Sequence, residues 1–257
     1  MSLHVETRGT GVRLVLAHGF TQNADCWGPF ADDLAADHEL ALVDLPGHGQ
    51  TASLHDDADL PVAGDLLADS GGEAVYVGYS MGGRVALHTA MAAPEQVRAL
   101  VLIASTAGID HPNERAQRRR ADEALADRIL DGGDAGLPAF IDQWLTSPLF
   151  AGLGPEAAAR AARLTNRASG LAASLVNCGT GTQEPLWEQL HQLTMPVLVM
   201  VGSDDAKFTA IGERLVAALP TAELRSLPAT HAAHLECPTR AADIIRRFVA
   251  RLDPVSG

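Results

Sequence analysis

Across its 257 residues the sequence has only three cysteines, Cys26, Cys178 and Cys237, an odd number set far apart. Such spacing excludes a disulfide framework and a structural zinc site, so all three read as small packing residues in a reduced, cytoplasmic setting. No apolar run approaches the roughly 20 residues needed to span a bilayer. Residues 1–11 lack the basic stretch and apolar core of a secretory signal. No membrane partner is expected. Basic residues are scarce too: 19 Lys and Arg stand against 32 Asp and Glu, a formal net charge of −13. That balance argues against a nucleic-acid surface, but an anionic substrate answers to local charge. Metal-ligand clusters, glycine-rich phosphate loops and cofactor signatures are missing, so no cofactor is expected. There is no internal repeat, and composition leaves oligomeric state open.

What is present is a chain with 47% hydrophobic and 20% charged residues. At this length one domain buries about three quarters of its unfolded surface. Its most informative feature is Gly78, Tyr79, Ser80, Met81, Gly82, which follows the apolar run 74–77 and opens into a helix-like stretch, 84–91. Strand, GxSxG and helix in succession form a nucleophile elbow, where a strained serine needs small neighbours so that strand and helix can pack closely.

Serine is a poor nucleophile or base unless a histidine accepts its proton, and that imidazole needs a carboxylate to fix its tautomer. Both partners belong at the ends of later strands, carboxylate first. The apolar run 196–202 delivers Asp204 and Asp205, either of which could instead cap the helix that follows. The run 222–227 is followed by His231, the better candidate for the base, with His234 its rival. Upstream, 12–17 ends at His18, Gly19 and Phe20, and 40–43 ends at Asp44 and a Gly/Pro turn containing His48. The backbone N–H groups of Phe20 and Met81 are placed to form an oxyanion hole; His18 and His48 read as supports of these loops.

These features, in this order, predict an α/β class chain with the α/β-hydrolase fold, a mostly parallel eight-stranded sheet flanked by helices. Residues 1–107 and 189–257 form its core. Between them, 108–188 shows no strand but helical stretches at 114–130, 137–144 and 155–165, a cap over the serine.

Arginines stand in unexpected places. Arg84 lies one turn beyond Ser80, and the cap holds Arg115, Arg118, Arg119, Arg120, Arg160, Arg163 and Arg167. Solvated helix faces paired with nearby acids explain most of them. Any that converge over Ser80 would need an anionic ligand, and a polycarboxylate would satisfy them bidentately.

The segments GYSMGGR (78–84), DLPGHG (44–49), NERAQRRRAD (113–122), Trp144 with 147–150, NCGTGTQEPLW (177–187), GSDDAKF (202–208) and HAAHLE (231–236) resemble the 2-succinyl-6-hydroxy-2,4-cyclohexadiene-1-carboxylate synthases of menaquinone (vitamin K2) biosynthesis. The resemblance covers about 18–238, core and cap. It implies the triad Ser80, Asp205 and His231. It also implies carboxylate binding by Arg84, Arg118 and Arg163, with Arg119 and Arg160 as neighbouring alternatives, and a pocket lined by Tyr79 and Trp144. The implied reaction is a lyase step: Ser80 removes a proton beside the succinyl ketone, an enolate forms in the oxyanion hole, and pyruvate leaves. A carboxylesterase or thioesterase working through an acyl-enzyme is the alternative. Thr230, where relatives have glycine, and Leu145, Thr146 and Ser147, where some carry more polar residues, depart from the pattern.

Overall fold

The structure is a computed structural model that describes residues 2–51 and 57–252. Seven strands form one sheet: β1 (His4–Arg8), β2 (Val12–Ala17), β3 (His38–Asp44), β4 (Ala74–Tyr79), β5 (Val97–Ile103), β6 (Val197–Gly202) and β7 (Ala222–Leu227). Their order is β1-β3-β2-β4-β5-β6-β7, with β1 antiparallel to β3 and the other pairs parallel. The expected eighth strand is absent among the described residues. β1 is the edge strand on one side, and no described strand pairs with its outer edge.

Strands covered on both faces carry side chains that avoid water on both sides, so they read as unbroken apolar runs. Every residue of β4 and of β6 is buried. On one face the sheet packs against α2 (Leu60–Gly71), α3 (Met81–Ala92) and α7 (Ala206–Ala218), through Leu67, Val85, Ala86 and Leu215 among others. The other face meets α1 (Gly28–Leu34) and α8 (Pro238–Val249), through Phe30, Leu34, Ala241 and Ile245. None of the described helices is long and apolar enough to cross a membrane.

Between β5 and β6 lie α4 (Pro112–Leu145), a short 3-10 turn (Pro148–Phe150), α5 (Arg160–Arg163) and α6 (Ala168–Cys178). Gly133, at φ 55°, interrupts α4 and kinks it there. The segment has its own small core, in which Ala126, Ile129, Leu137 and Ile141 meet Leu171, Ala172 and Leu175. The helix predicted over 155–165 shrinks to the four residues of α5, because Ala159 sits at φ 48° and ends helical geometry before Arg160. In its place α6, which the sequence pattern did not suggest, packs along α4.

Candidate active site

The site begins where β4 ends. Ser80 stands at φ 51° and ψ −106°, a conformation that costs about 1–3 kcal/mol and persists only where the surroundings dictate it. Here its N–H bonds to the Ile103 carbonyl at 2.9 Å and its carbonyl accepts from Ser105 Oγ at 2.9 Å. The flanking glycines are needed for close approach. A side chain on Gly78 would overlap the backbone of Gly83, and one on Gly82 would overlap the Ala17 carbonyl.

Ser80 Oγ lies 3.1 Å from His231 Nε2, and His231 Nδ1 lies 3.0 Å from Asp205 Oδ2. Asp205 does two jobs with its two oxygens: Oδ1 caps α7 by accepting the Phe208 N–H at 3.1 Å, while Oδ2 faces the imidazole. Asp204 points elsewhere, accepting from Ser203 Oγ at 3.2 Å in an exposed position. Burial pushes the Asp205 carboxyl up, but bonds from His231 and the Phe208 N–H, with the charges of His231 and Lys207, outweigh it and hold the group below its ordinary value. The carboxylate is therefore ionised, as orienting an imidazole requires. Thr230, the departure before the histidine, fixes this loop through Glu236, which accepts its N–H at 3.0 Å and its hydroxyl.

β2 pairs with β4 so that Ala17 faces Gly78, which brings the loop after β2 alongside the elbow. There the Gly19 carbonyl accepts from the Gln22 N–H at 3.1 Å and from His18 Nδ1 at 2.9 Å, while His18 Nε2 accepts the Leu45 N–H at 3.1 Å. Both ring nitrogens of His18 are thus committed, and burial pushes its pKa down to about 4, so the ring is neutral. Phe20 follows this gripped peptide, and Met81 opens α3, where backbone N–H groups have no partner within the helix. Both residues border the same cavity as Ser80.

That cavity, about 330 Å³, lies between sheet edge and cap. Ser80, His231, Phe20, Met81, Tyr79, Trp144, Arg84, Arg118 and Arg163 all line it; Arg119 and Arg160 do not. Arg84 is 6% exposed and gives Nη1 to the Cys178 carbonyl at 2.6 Å. Arg163 is 1% exposed and bonds to the Ala158 carbonyl at 2.8 Å and to the Thr21 hydroxyl. Among the described residues neither has a carboxylate within ion-pair distance. Burial pushes both guanidinium pKa values down, that of Arg84 to about 10, which leaves Arg84 charged near neutrality. Arg118 differs, being partly exposed and paired with Asp122 at 2.8 Å. The alternatives are both on the outside, Arg119 paired with Glu123 at 3.1 Å and Arg160 with Asp142 at 2.5 Å.

Aromatic rings frame the space. Trp144 packs edge-on to Phe20 at 5.3 Å, and Tyr79 lies 5.5 Å from the His231 ring. His234 does not enter the cavity: it is fully buried against Trp27, Phe30 and Tyr79, and burial pushes its pKa down to about 3. Arg128, Lys207 and Gln22 line the cavity without having been singled out in the sequence. A signal for Arg128 existed, since Arg118, Ala121, Asp122, Leu125 and Arg128 recur at three- and four-residue spacing on one face of α4.

This geometry can withdraw a proton from a hydroxyl, stabilise negative charge on one oxygen, and hold carboxylates. A sequence profile of the alpha/beta hydrolase family matches residues 14–244. A protein of Bacillus subtilis (strain 168), provisionally named as 2-succinyl-6-hydroxy-2,4-cyclohexadiene-1-carboxylate synthase, is 35% identical over 93% of this chain and 90% of its own length. A pimeloyl-(acyl-carrier protein) methyl ester esterase of Xanthomonas campestris pv. campestris (strain B100) is 34% identical over 97% of this chain and 100% of its own. The solved structure of MenH from S. aureus gives a TM-score of 0.88 at 27% identity, covering 97% of this chain and 98% of that one.

Proposed function

We propose that this chain, which belongs to the alpha/beta hydrolase family, is a carbon–oxygen lyase that eliminates pyruvate from 2-succinyl-5-enolpyruvyl-6-hydroxy-3-cyclohexene-1-carboxylate. The product is 2-succinyl-6-hydroxy-2,4-cyclohexadiene-1-carboxylate, for which its Bacillus subtilis relative is named. Ser80, its own proton drawn to His231 and the resulting charge balanced by Asp205, takes the hydrogen from the ring carbon bearing the succinyl group. That carbon adjoins a ketone, so the electron pair moves onto the ketone oxygen. The enolate oxygen is met by the N–H groups of Phe20 and Met81. As the enolate collapses, electrons pass through the existing ring double bond and break the bond from ring carbon to enolpyruvyl oxygen. The leaving group takes up a proton and becomes pyruvate, while the ring keeps a second double bond. No bond forms between Ser80 and the substrate.

The observation that carries this reading is the pair Arg84 and Arg163, both buried beside Ser80 without a carboxylate partner among the described residues. An uncompensated buried charge costs several kcal/mol. Substrate carboxylates offset that cost, so the site favours a polycarboxylate over a neutral ester. Esterase activity is the second reading, favoured by the methyl ester esterase relative and by the fact that an acyl transfer uses the same triad and oxyanion donors. The assay that separates them follows pyruvate release from the enolpyruvyl precursor by purified protein. Release at enzymatic rates without a covalent Ser80 adduct supports the lyase; a folded, inert protein that forms an acyl adduct with an activated ester removes it.

A further inference from the structure

The turn that carries Phe20 is gripped from two sides, and one of them is the cap. From the core, the Gln22 N–H and His18 Nδ1 hold the Gly19 carbonyl at 3.1 Å and 2.9 Å. Because the peptide bond is planar and trans, fixing that carbonyl aims the Phe20 N–H the opposite way. The next residue, Thr21, is fully buried at φ 68°. A β-branched residue pays for that left-handed conformation and keeps it only if its surroundings over-determine it.

The over-determination comes from residues 163–166. Asn166 Nδ2 donates to the Thr21 carbonyl at 2.7 Å, and Arg163 donates to the Thr21 hydroxyl. Asn166 is itself 4% exposed and fully engaged: Nδ2 also reaches the Arg163 carbonyl at 3.0 Å, and Oδ1 accepts the Gly49 N–H at 2.7 Å. It does not line the cavity and touches no member of the triad. We infer that Asn166 is a positioning residue of the oxyanion hole, holding Thr21 from the cap side and thereby keeping the Phe20 N–H aimed at the developing negative charge. This rests on Phe20 being an oxyanion donor, a role common to the lyase and ester readings, and not on the identity of the substrate.

Asn166→Ala tests it. Turnover should fall about 10- to 100-fold, with little change in KM, on both the enolpyruvyl precursor and a small neutral ester. Adding Thr21→Gly should restore most of the loss, because glycine takes a positive φ without strain. A residue needed only for stability would lower Tm without such rescue. In the free protein the Phe20 amide resonance should move in Asn166→Ala and return towards its original position in the double variant. Should Asn166→Ala fail to fold, Asn166→Asp keeps the shape and the acceptor for Gly49 while losing the donor to Thr21, and the same shift is expected. Unchanged turnover with an unmoved Phe20 amide would overturn the inference, as would a KM rise confined to the carboxylate substrate, which would leave Asn166 serving Arg163 alone. An unmutated protein inert on both substrates would count against the proposed function, whereas the amide resonance would still decide this inference.

Discussion

At the carboxyl edge of the sheet, Ser80, His231 and Asp205 find every partner they need inside the chain, at 3.0 to 3.1 Å. In the same cavity, Arg84 on α3 and Arg163 in the cap are buried yet, among the described residues, hydrogen-bond to carbonyls and a hydroxyl and to no carboxylate. Scarcity of acids is no explanation, since Arg119 and Arg160 on the outer face of the cap have Glu123 and Asp142. The proton relay is complete without a ligand. On the proposed function a substrate anion completes the guanidinium region, so chemistry and recognition would occupy separate parts of one cavity and should respond to substitution differently.

Ser80→Ala strikes the first region. It should lower the rate of pyruvate release by about 10⁴-fold or more while leaving KM within a few-fold, measured by a coupled pyruvate assay. Substantial residual turnover would mean that the relay does not carry the reaction. Arg84→Met strikes the second. It should cost about 100-fold or more in kcat/KM on the polycarboxylate and far less on a small neutral ester. Thermal unfolding should show no loss of stability, because an apolar chain of similar length replaces an uncompensated buried charge. A large fall in Tm would show that Arg84 serves the fold.

Outside the cavity, packed against Tyr79, lies His234. Its pKa falls from the ordinary 6.5 to about 3 in the folded chain, so below pH 6.5 the unfolded chain binds a proton that the native state refuses. Stability therefore declines as pH falls through that window. His234→Phe removes the linkage and should flatten the dependence between pH 6 and 4 by up to about 1.4 kcal/mol per pH unit, seen by urea unfolding at several pH values. An unchanged slope would mean the ring protonates in place. Arg118→Ala should have a milder effect, about 10-fold in kcat/KM, because its guanidinium is partly exposed and already paired with Asp122. A loss equal to that of Arg84→Met would merge the exposed rim with the buried pair.

Much of the sheet side was legible because its signals are local: buried parallel strands are continuous apolar runs, and a nucleophile elbow needs glycine at fixed offsets. The cap was less so. The Ala-rich stretch 157–162 promised a helix, yet Ala159 turns left-handed and the Arg163 guanidinium takes the Ala158 carbonyl. Helix α6 went unseen because Ser169, Gly170 and Ser174 dilute its propensity, and what holds it is the packing of Leu171, Ala172 and Leu175 on α4. Arg128 and Asn166 were missed for a related reason. Which face of a cap helix looks inward depends on how it is laid over the core, and Asn166 acts through residues more than 100 positions away.

The most direct test uses precursor deuterated at the ring carbon that bears the succinyl group, with pyruvate release and the intact mass of the protein followed together. If Ser80 withdraws that hydrogen in the step that leads to elimination, release from the deuterated precursor slows severalfold and the protein mass never gains an adduct. Release at the same rate from both precursors, accompanied by a covalent adduct on Ser80, would contradict it.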